Sequence, residues 1–419
     1  MSIQKNIVSL YGTQLMSVGA GFLNTLLLAR LLGPELQGEW ALYLQFTQFS
    51  TLLLSVGLPG ALIYFIASGK MSVYDGEQVS KRVLWLAGIG LLLFTLTYSF
   101  SQNRWLLPDS LLQSSTLLLI PLHSVGLLAV QCQSALLQAQ NQFRKTAWIQ
   151  LFGTVGYLVG SSLMYWLLPA SSEMALPILL WVYTGISLGQ YVWLRRLFRP
   201  ESKKSITGIG FSALWQYSAL AFATNLIQFL NYKMDVWILR YYECASYNLG
   251  IYTLSVSLSQ LLWLFPQALQ SILFRDISNR KDIENLYKET KRWTGLLVLY
   301  VLLGGFAGAG LAKLFVPLLF GEAYANVPHI ISILLLGIAP FGVIMIVSAY
   351  FSGTGRVYIN FISAIIGFVT GFLFDLLWIP EFGIKGAAAA SIASYWSTAI
   401  FVLLVFFFEK KSTRSAIQG

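Results

Sequence analysis

Between Trp40 and Gly69, and again between Cys244 and Phe274, the chain carries no charged side chain. The hydrocarbon core of a bilayer takes roughly 20 apolar residues of helix to cross, and lipid offers no partner for an unpaired backbone N–H or C=O. Each stretch is therefore long enough to span a membrane as helix and badly suited to water. Similar runs recur along the sequence and predict about twelve spans, near 7–30, 40–66, 83–101, 112–137, 146–168, 175–196, 211–238, 248–272, 294–316, 327–351, 357–379 and 386–408. With 56% hydrophobic and 11% charged residues, the composition excludes a soluble globular domain. The first run has no small-residue cleavage site after it, which predicts a retained span rather than a removed signal peptide.

The 27 lysines and arginines give a net charge of +10. They concentrate on alternate connections; only Arg30, Arg104, Arg240, Lys313 and Lys385 fall on the opposite set, and Lys233 lies near the end of a run. The positive-inside rule then predicts a multi-pass protein with both termini in the cytoplasm. The positive charge is a topology signal, so nucleic acid is not an expected partner. The expected outer connections, at about 15 residues or fewer, leave no room for a folded extracellular domain. No phosphate-cradling loop surrounds the only Gly-Lys pair, Gly69–Lys70, and two histidines make no metal-ligand cluster. Neither a cofactor nor a metal is expected, nor is an enzyme. Cys132 and Cys244 imply no disulfide framework.

Shifting the sequence by 212 positions lays GEWALYLQFTQFSTLLLS (38–55) on GIYTLSVSLSQLLWLFPQ (250–267), with Gly38 on Gly250, Leu42 on Leu254 and Gln48 on Gln260. Six spans in each half make this a parallel repeat, with lobes related by an axis along the membrane normal. The expected lobes are 1–200 and 207–419, joined by a basic cytoplasmic linker at 195–207.

Several spans carry polar stripes. At about 100° per residue, Gln45, Gln48 and Ser55 share a face, as do Ser257, Gln260, Gln267 and Ser271. Ser124, Gln131, Ser134 and Gln138 share another, and Thr224, Gln228, Asn231 and Asp235 a fourth. Lipid cannot satisfy these amides, so they turn toward protein or water. One reading makes them glue between helices. The other makes them the lining of a hydrated cavity between the lobes, suited to sugar hydroxyls. Lys233 and Arg240 either snorkel to outer headgroups, balanced by Asp235, or join Arg30 and Asp235 in ringing the cavity's outer half, where cations attract a pyrophosphate. Arg356 either sets orientation or meets an anionic headgroup at an inner mouth. His123 either packs as a neutral side chain or couples protons, and Asp235 and Asp375 are further candidates for ion coupling.

Three segments carry a resemblance. LLLARLLGPELQGEWALY (26–43), YNLGIYTLSVSLSQLL (247–262) and DLLWIPEFGIKGAAAASIASYW (375–396) resemble helix ends and starts of bacterial polysaccharide transporters, the Wzx-type flippases of the multidrug/oligosaccharidyl-lipid/polysaccharide exporter superfamily. The matching positions are Arg30, Gly33, Pro34, Gly38, Pro380, Gly383, Gly386, Ala387 and Ala388; Asp375 stands where the family usually has asparagine. The resemblance implies an all-α integral membrane protein of about 12 transmembrane helices in two six-helix lobes, with a MATE-like V shape and alternating access. It implies ATP-independent movement of an undecaprenyl-diphosphate-linked oligosaccharide from the inner to the outer leaflet of the bacterial cytoplasmic membrane, for surface polysaccharides such as lipopolysaccharide O-antigen. A polysaccharide polymerase and a chain-length regulator are the protein partners it suggests. Two alternatives stand beside it: a cation-coupled multidrug exporter of the same superfamily, and a membrane-embedded polysaccharide polymerase or ligase.

Overall fold

A computed structural model of the chain describes residues 2–101, 105–112, 116–169, 171–197, 211–279 and 283–418. Among the described residues there is no strand. The helices are α1 (Ser2–Ser55), α2 (Leu58–Ala67), α3 (Val73–Ser99), the single turn α4 (Asp109–Leu112), α5 (Leu119–Ala139), α6 (Phe143–Leu167) and α7 (Ala175–Leu197). They continue with α8 (Phe211–Tyr241), α9 (Ser246–Ser259), α10 (Leu264–Asn279), α11 (Ile283–Phe320), α12 (Val327–Gly353), α13 (Val357–Phe382) and α14 (Ile384–Gln418). Among the described residues, ten helical segments are long and apolar enough to cross a membrane. One of them, within α1, is broken at Gly33 into two arms; the 31-residue α8, richer in amides, is not among the ten. The protein is an all-α membrane protein with about twelve passes. Large apolar side chains such as Trp85, Leu86, Trp166, Leu167, Phe306 and Phe408 stand outward, more than 60% exposed, as lipid requires and water forbids.

The chain divides into two compact units, Met1–Leu226 and Ile227–Gly419. The division falls inside α8. Of the expected linker, Arg195 to Leu197 end α7, and 198–210 lie outside the described residues. Each unit is built around one helix. In the first unit 72% of the apolar window of α5 is buried, under α1, α2, α3, α6 and α7. In the second, 71% of the window containing α12 is buried, under α9, α10, α11, α13 and α14. The outer helices α3 and α11 bury only 22% of theirs.

Glycine and proline decide where the helices break, and here several expected limits need correction. Gly33 adopts φ 67°, ψ 173°, a conformation closed to residues with a Cβ, and Pro34 then fits the first helical position of the second arm. The second span thus begins six residues before the expected Trp40. It also does not run unbroken to 66: Val56 and Gly57 take positive φ, and a new helix starts at Leu58 with Pro59 in its first turn. The fourth expected span, as α5, starts at Leu119 rather than 112. The eighth span is interrupted by a 3₁₀ turn, Gln260–Trp263. Pro266 explains the break, because its ring displaces the carbonyl four residues back, that of Leu262. The turn between the last two passes is also tighter than the sequence suggested. Pro380 lies inside the last turn of α13, and the reversal is made by Gly383 alone, at φ 55°. Beyond it, a Cβ on Gly386 would strike the Trp378 carbonyl, so glycine lets α14 close on α13, and Ala387 and Ala388 are fully buried behind it.

Pro340 in the middle of α12 leaves the Leu336 carbonyl without its helical donor. Trp396 on α14 supplies one: its Nε1 lies 3.3 Å from that oxygen. Both side chains are largely exposed on the lipid-facing surface, where no water could serve instead.

Candidate functional site

A polar buried seam of the second unit lies where α8, α9, α13 and α14 meet. Asp235 on α8 is 8% exposed. Its Oδ2 accepts a short hydrogen bond from the Tyr252 hydroxyl on α9, and its Oδ1 accepts from the Val236 amide at 2.8 Å. Asp375 on α13 is 5% exposed, and its Oδ1 has no hydrogen-bond partner. The carboxyls of Asp235 and Asp375 are near enough to act on each other electrostatically, the ammonium of Lys233 acts on Asp235, and the Tyr395 hydroxyl feels both carboxyls. Asp375 thus holds a buried carboxyl oxygen with no protein partner, within electrostatic reach of a second carboxyl.

Glycine makes this seam possible. Ser394 Oγ on α14 lies 2.8 Å from Asn231 Oδ1 of α8 and 2.9 Å from the Gly367 carbonyl of α13, two acceptors for its one hydrogen. A Cβ on Gly367 would collide with Thr398 Oγ1 and reach within 3.0 Å of Asn231 Nδ2; on Gly371 it would meet Ser394 Cβ at 3.3 Å. Three helices thus touch through small and polar groups, the usual way for passes to associate tightly in lipid. An aromatic cluster of Tyr232, Trp263, Phe341 and Tyr395 packs beside them, with Trp263 and Phe341 stacked at 3.9 Å.

The first unit holds a different cluster. His123 of α5 is 1% exposed; its Nδ1 shares a short hydrogen bond with the Tyr43 hydroxyl, and its Nε2 has no partner. Tyr43 and Tyr183 pack against its ring, Trp40 and Tyr157 pack against those tyrosines, and Asn24 Nδ2 donates to the Tyr183 hydroxyl at 2.8 Å. His123 therefore sits in an aromatic box rather than among charged groups.

The polar stripes divide by exposure. In the first unit Gln45 is buried, Gln138 half-buried, and Gln48 and Gln131 exposed. In the second unit Gln228 and Gln267 are exposed, and Asn231 and Gln260 half-buried. Gln260 opens the 3₁₀ turn. At roughly 20° of extra rotation per residue, four such residues turn the register by about 80°, so Ser257, Gln260, Gln267 and Ser271 do not form one stripe on one continuous helix as expected. Of the expected cations, Arg30 is exposed just before the Gly33 break, Lys233 and Arg240 are half-buried on α8, and Arg356 is half-buried at the N-cap of α13. The sequence offers Asp235 and Asp375 only as separate candidates. Nothing in it signals their proximity or the parts of Tyr252, Ser394 and Gly367, which look like ordinary span residues until the helices are packed.

The fold is similar to that of an inward-facing multidrug resistance MATE family transporter of the MOP superfamily, with TM-score 0.66 and 13% identity over 95% of this chain and 96% of that one. It is similar to lipid II flippase MurJ in an inward closed conformation, with TM-score 0.70 and 15% identity over 95% of this chain and 87% of that one. It is also similar to the Vibrio cholerae MATE transporter VcmN in the bent form, with TM-score 0.57 and 14% identity over 99% of this chain and 98% of that one. At such identities the likeness speaks for the fold alone. No curated protein matches the chain. The model of one protein family, described as polysaccharide biosynthesis protein, matches residues 27–328, most of the sequence, and the chain belongs to that family.

Proposed function

We propose that the protein is a flippase that moves an undecaprenyl-diphosphate-linked oligosaccharide from the inner to the outer leaflet of a bacterial cytoplasmic membrane, by alternating access and without ATP. The observation that carries this reading is the match to a polysaccharide biosynthesis family on a fold shared with a lipid II flippase. An oligosaccharide on a diphosphate cannot cross hydrocarbon unaided, and a passage lined by amides removes that barrier while the prenyl chain stays in lipid. Gln48, Gln131, Gln228 and Gln267, exposed on their own units, supply such groups, joined by Gln45, Gln138, Asn231 and Gln260. Arg30, Lys233 and Arg240 draw the diphosphate outward, and Arg356 meets it at the inner side. The two lobes, 1–200 and 207–419, alternate around this passage, with both termini and the 195–207 linker in the cytoplasm.

Asp235 and Asp375 couple the movement to a proton or a monovalent cation. Two acidic side chains that act on each other favour this site over His123, which packs against aromatic rings. The membrane potential also helps, at about 2.3 kcal/mol per charge per 100 mV, and favours anions leaving. A polymerase and a chain-length regulator would take the product. No enzymatic step is assigned to the chain.

The test uses purified protein in ATP-free vesicles carrying a fluorescent lipid-diphosphate oligosaccharide, with leaflet position read by a membrane-impermeant quencher. Protein-dependent, ATP-independent exchange is expected. Exchange no faster than in empty vesicles sinks the proposal, and transport of a lipophilic cation in its place would favour the multidrug reading.

A further inference from the structure

A cavity of about 560 Å³ opens at the end of the first unit where α6 begins and α7 ends. The turn into it is fixed by the backbone. The Gln142 amide donates to the Leu137 carbonyl at 2.9 Å and the Asn141 amide to that of Gln138 at 2.9 Å, with Asn141 at φ 60°, a left-handed helix cap that folds α5 sharply into α6. Deeper in, α6 and α7 touch closely. Gln190 of α7 fills the space over Gly153 and donates to the Ile149 carbonyl at 3.0 Å, and Gly156 and Gly160 take Ile186 and Val182. Above that contact the helices leave a gap.

The lining of the gap has two chemistries. Phe143, Trp148, Phe152 and Trp193 stand in it, each between 37% and 49% exposed, with Phe152 5.0 Å from Trp193 and 6.2 Å from Trp148 between ring centres. Arg144 and Lys145, both exposed, complete the rim. Arg195 and Arg196 lie at the same end, in the last turn of α7, and no acidic residue occurs between Gln138 and Phe152 or between Ile186 and Leu197. An aromatic-walled slot with a basic rim at the membrane boundary matches one kind of molecule: an amphiphile with an apolar chain and an anionic head.

We propose that this cavity is a binding site for an anionic phospholipid of the surrounding leaflet. One acyl chain lies along Trp148, Phe152 and Trp193, and the phosphate is held by Arg144 and Lys145. Aromatic side chains prefer this interfacial depth, and basic pockets between spans are suited to anionic headgroups. The site involves neither the carboxylate pair nor the polar stripes, so it stands whether or not the transport reading does.

The full-length protein would be reconstituted in zwitterionic phosphatidylcholine with a small fraction of dibrominated phosphatidylglycerol, and separately of dibrominated phosphatidylcholine, with tryptophan quenching recorded. Brominated chains quench only indole groups they touch. Excess quenching by the anionic lipid at equal mole fraction is expected. Arg144→Gln with Lys145→Gln should reduce that excess severalfold, and Trp148→Phe with Trp193→Phe should remove the quenched component while the remaining tryptophans respond equally to both lipids. Equal quenching by the two brominated lipids in the unaltered protein overturns the proposal, as does an excess that survives the Trp148→Phe/Trp193→Phe change, which needs no charge removed. Displacement by a prenyl diphosphate but not by unbrominated phosphatidylglycerol also overturns it, by making the transported carrier the occupant.

Discussion

The Tyr252 hydroxyl on α9 donates to the Asp235 carboxylate on α8, joining the two helices through a buried bond. Tyr252→Phe should therefore cost about 1–3 kcal/mol, the usual penalty of stranding a buried acceptor. A lowered Tm in detergent, with membrane insertion unchanged, is the expected result. An unaltered Tm would mean that the carboxyl is satisfied by something else.

If Asp235 and Asp375 hold a cation, ligand linkage requires that the cation stabilise the folded protein by RT ln(1 + [L]/Kd). Tm should rise with sodium or, if a proton is the ligand, with falling pH, and only one of the two titrations should respond. Asp375→Asn removes one charge at nearly constant volume and should flatten that response while leaving the basal Tm equal or higher. A response that persists in Asp375→Asn moves the coupling site elsewhere.

Gly367→Ala and Gly371→Ala differ by one turn of α13 and should differ in cost. The added methyl at 367 collides with Thr398 and crowds Asn231, whereas at 371 it comes no nearer than 3.3 Å to Ser394 and 3.7 Å to Asn231. Overpacking of the first kind costs about 1–3 kcal/mol, and the second should stay below about 1. Thermal unfolding of the two variants side by side makes the comparison.

Trp396→Phe strands the Leu336 carbonyl that Pro340 left open. A loss of about 1–2 kcal/mol is expected. Pro340→Ala restores a helical donor to the same oxygen, so the Trp396→Phe change should be nearly harmless in that background. Additive losses in the double-mutant cycle would deny the link.

Arg30→Ala combined with Arg240→Ala should abolish glycan export while the protein still inserts and folds. Surface glycan left at its normal level in a strain carrying only this double variant rules out the cation ring.

Much of the helical order was readable because crossing a bilayer leaves a long-period mark: charge-free runs such as Trp40–Gly69 have few other uses. Limits were less readable, because a span's end depends on local backbone chemistry. Gly33, Gly57 and Pro266 were all visible, yet hydropathy passes over them. The carboxylate pair was not readable at all. Asp235 and Asp375 are remote in sequence, and only the packing of α8 against α13, through Gly367 and Gly371, brings them together. Asp375 could be flagged as an odd residue, but neither its unsatisfied oxygen nor Tyr252 follows from a periodicity.

The central position of α5 bears on how the protein is made. Ribosomes deliver α5 after α1, α2 and α3, which cover part of it, but before α6 and α7, so the face that α7 covers in the finished unit first meets the membrane without its partner. Its release from the insertion machinery should wait for the helices that follow, and a nascent chain truncated after Ala139 should remain cross-linkable to the translocon.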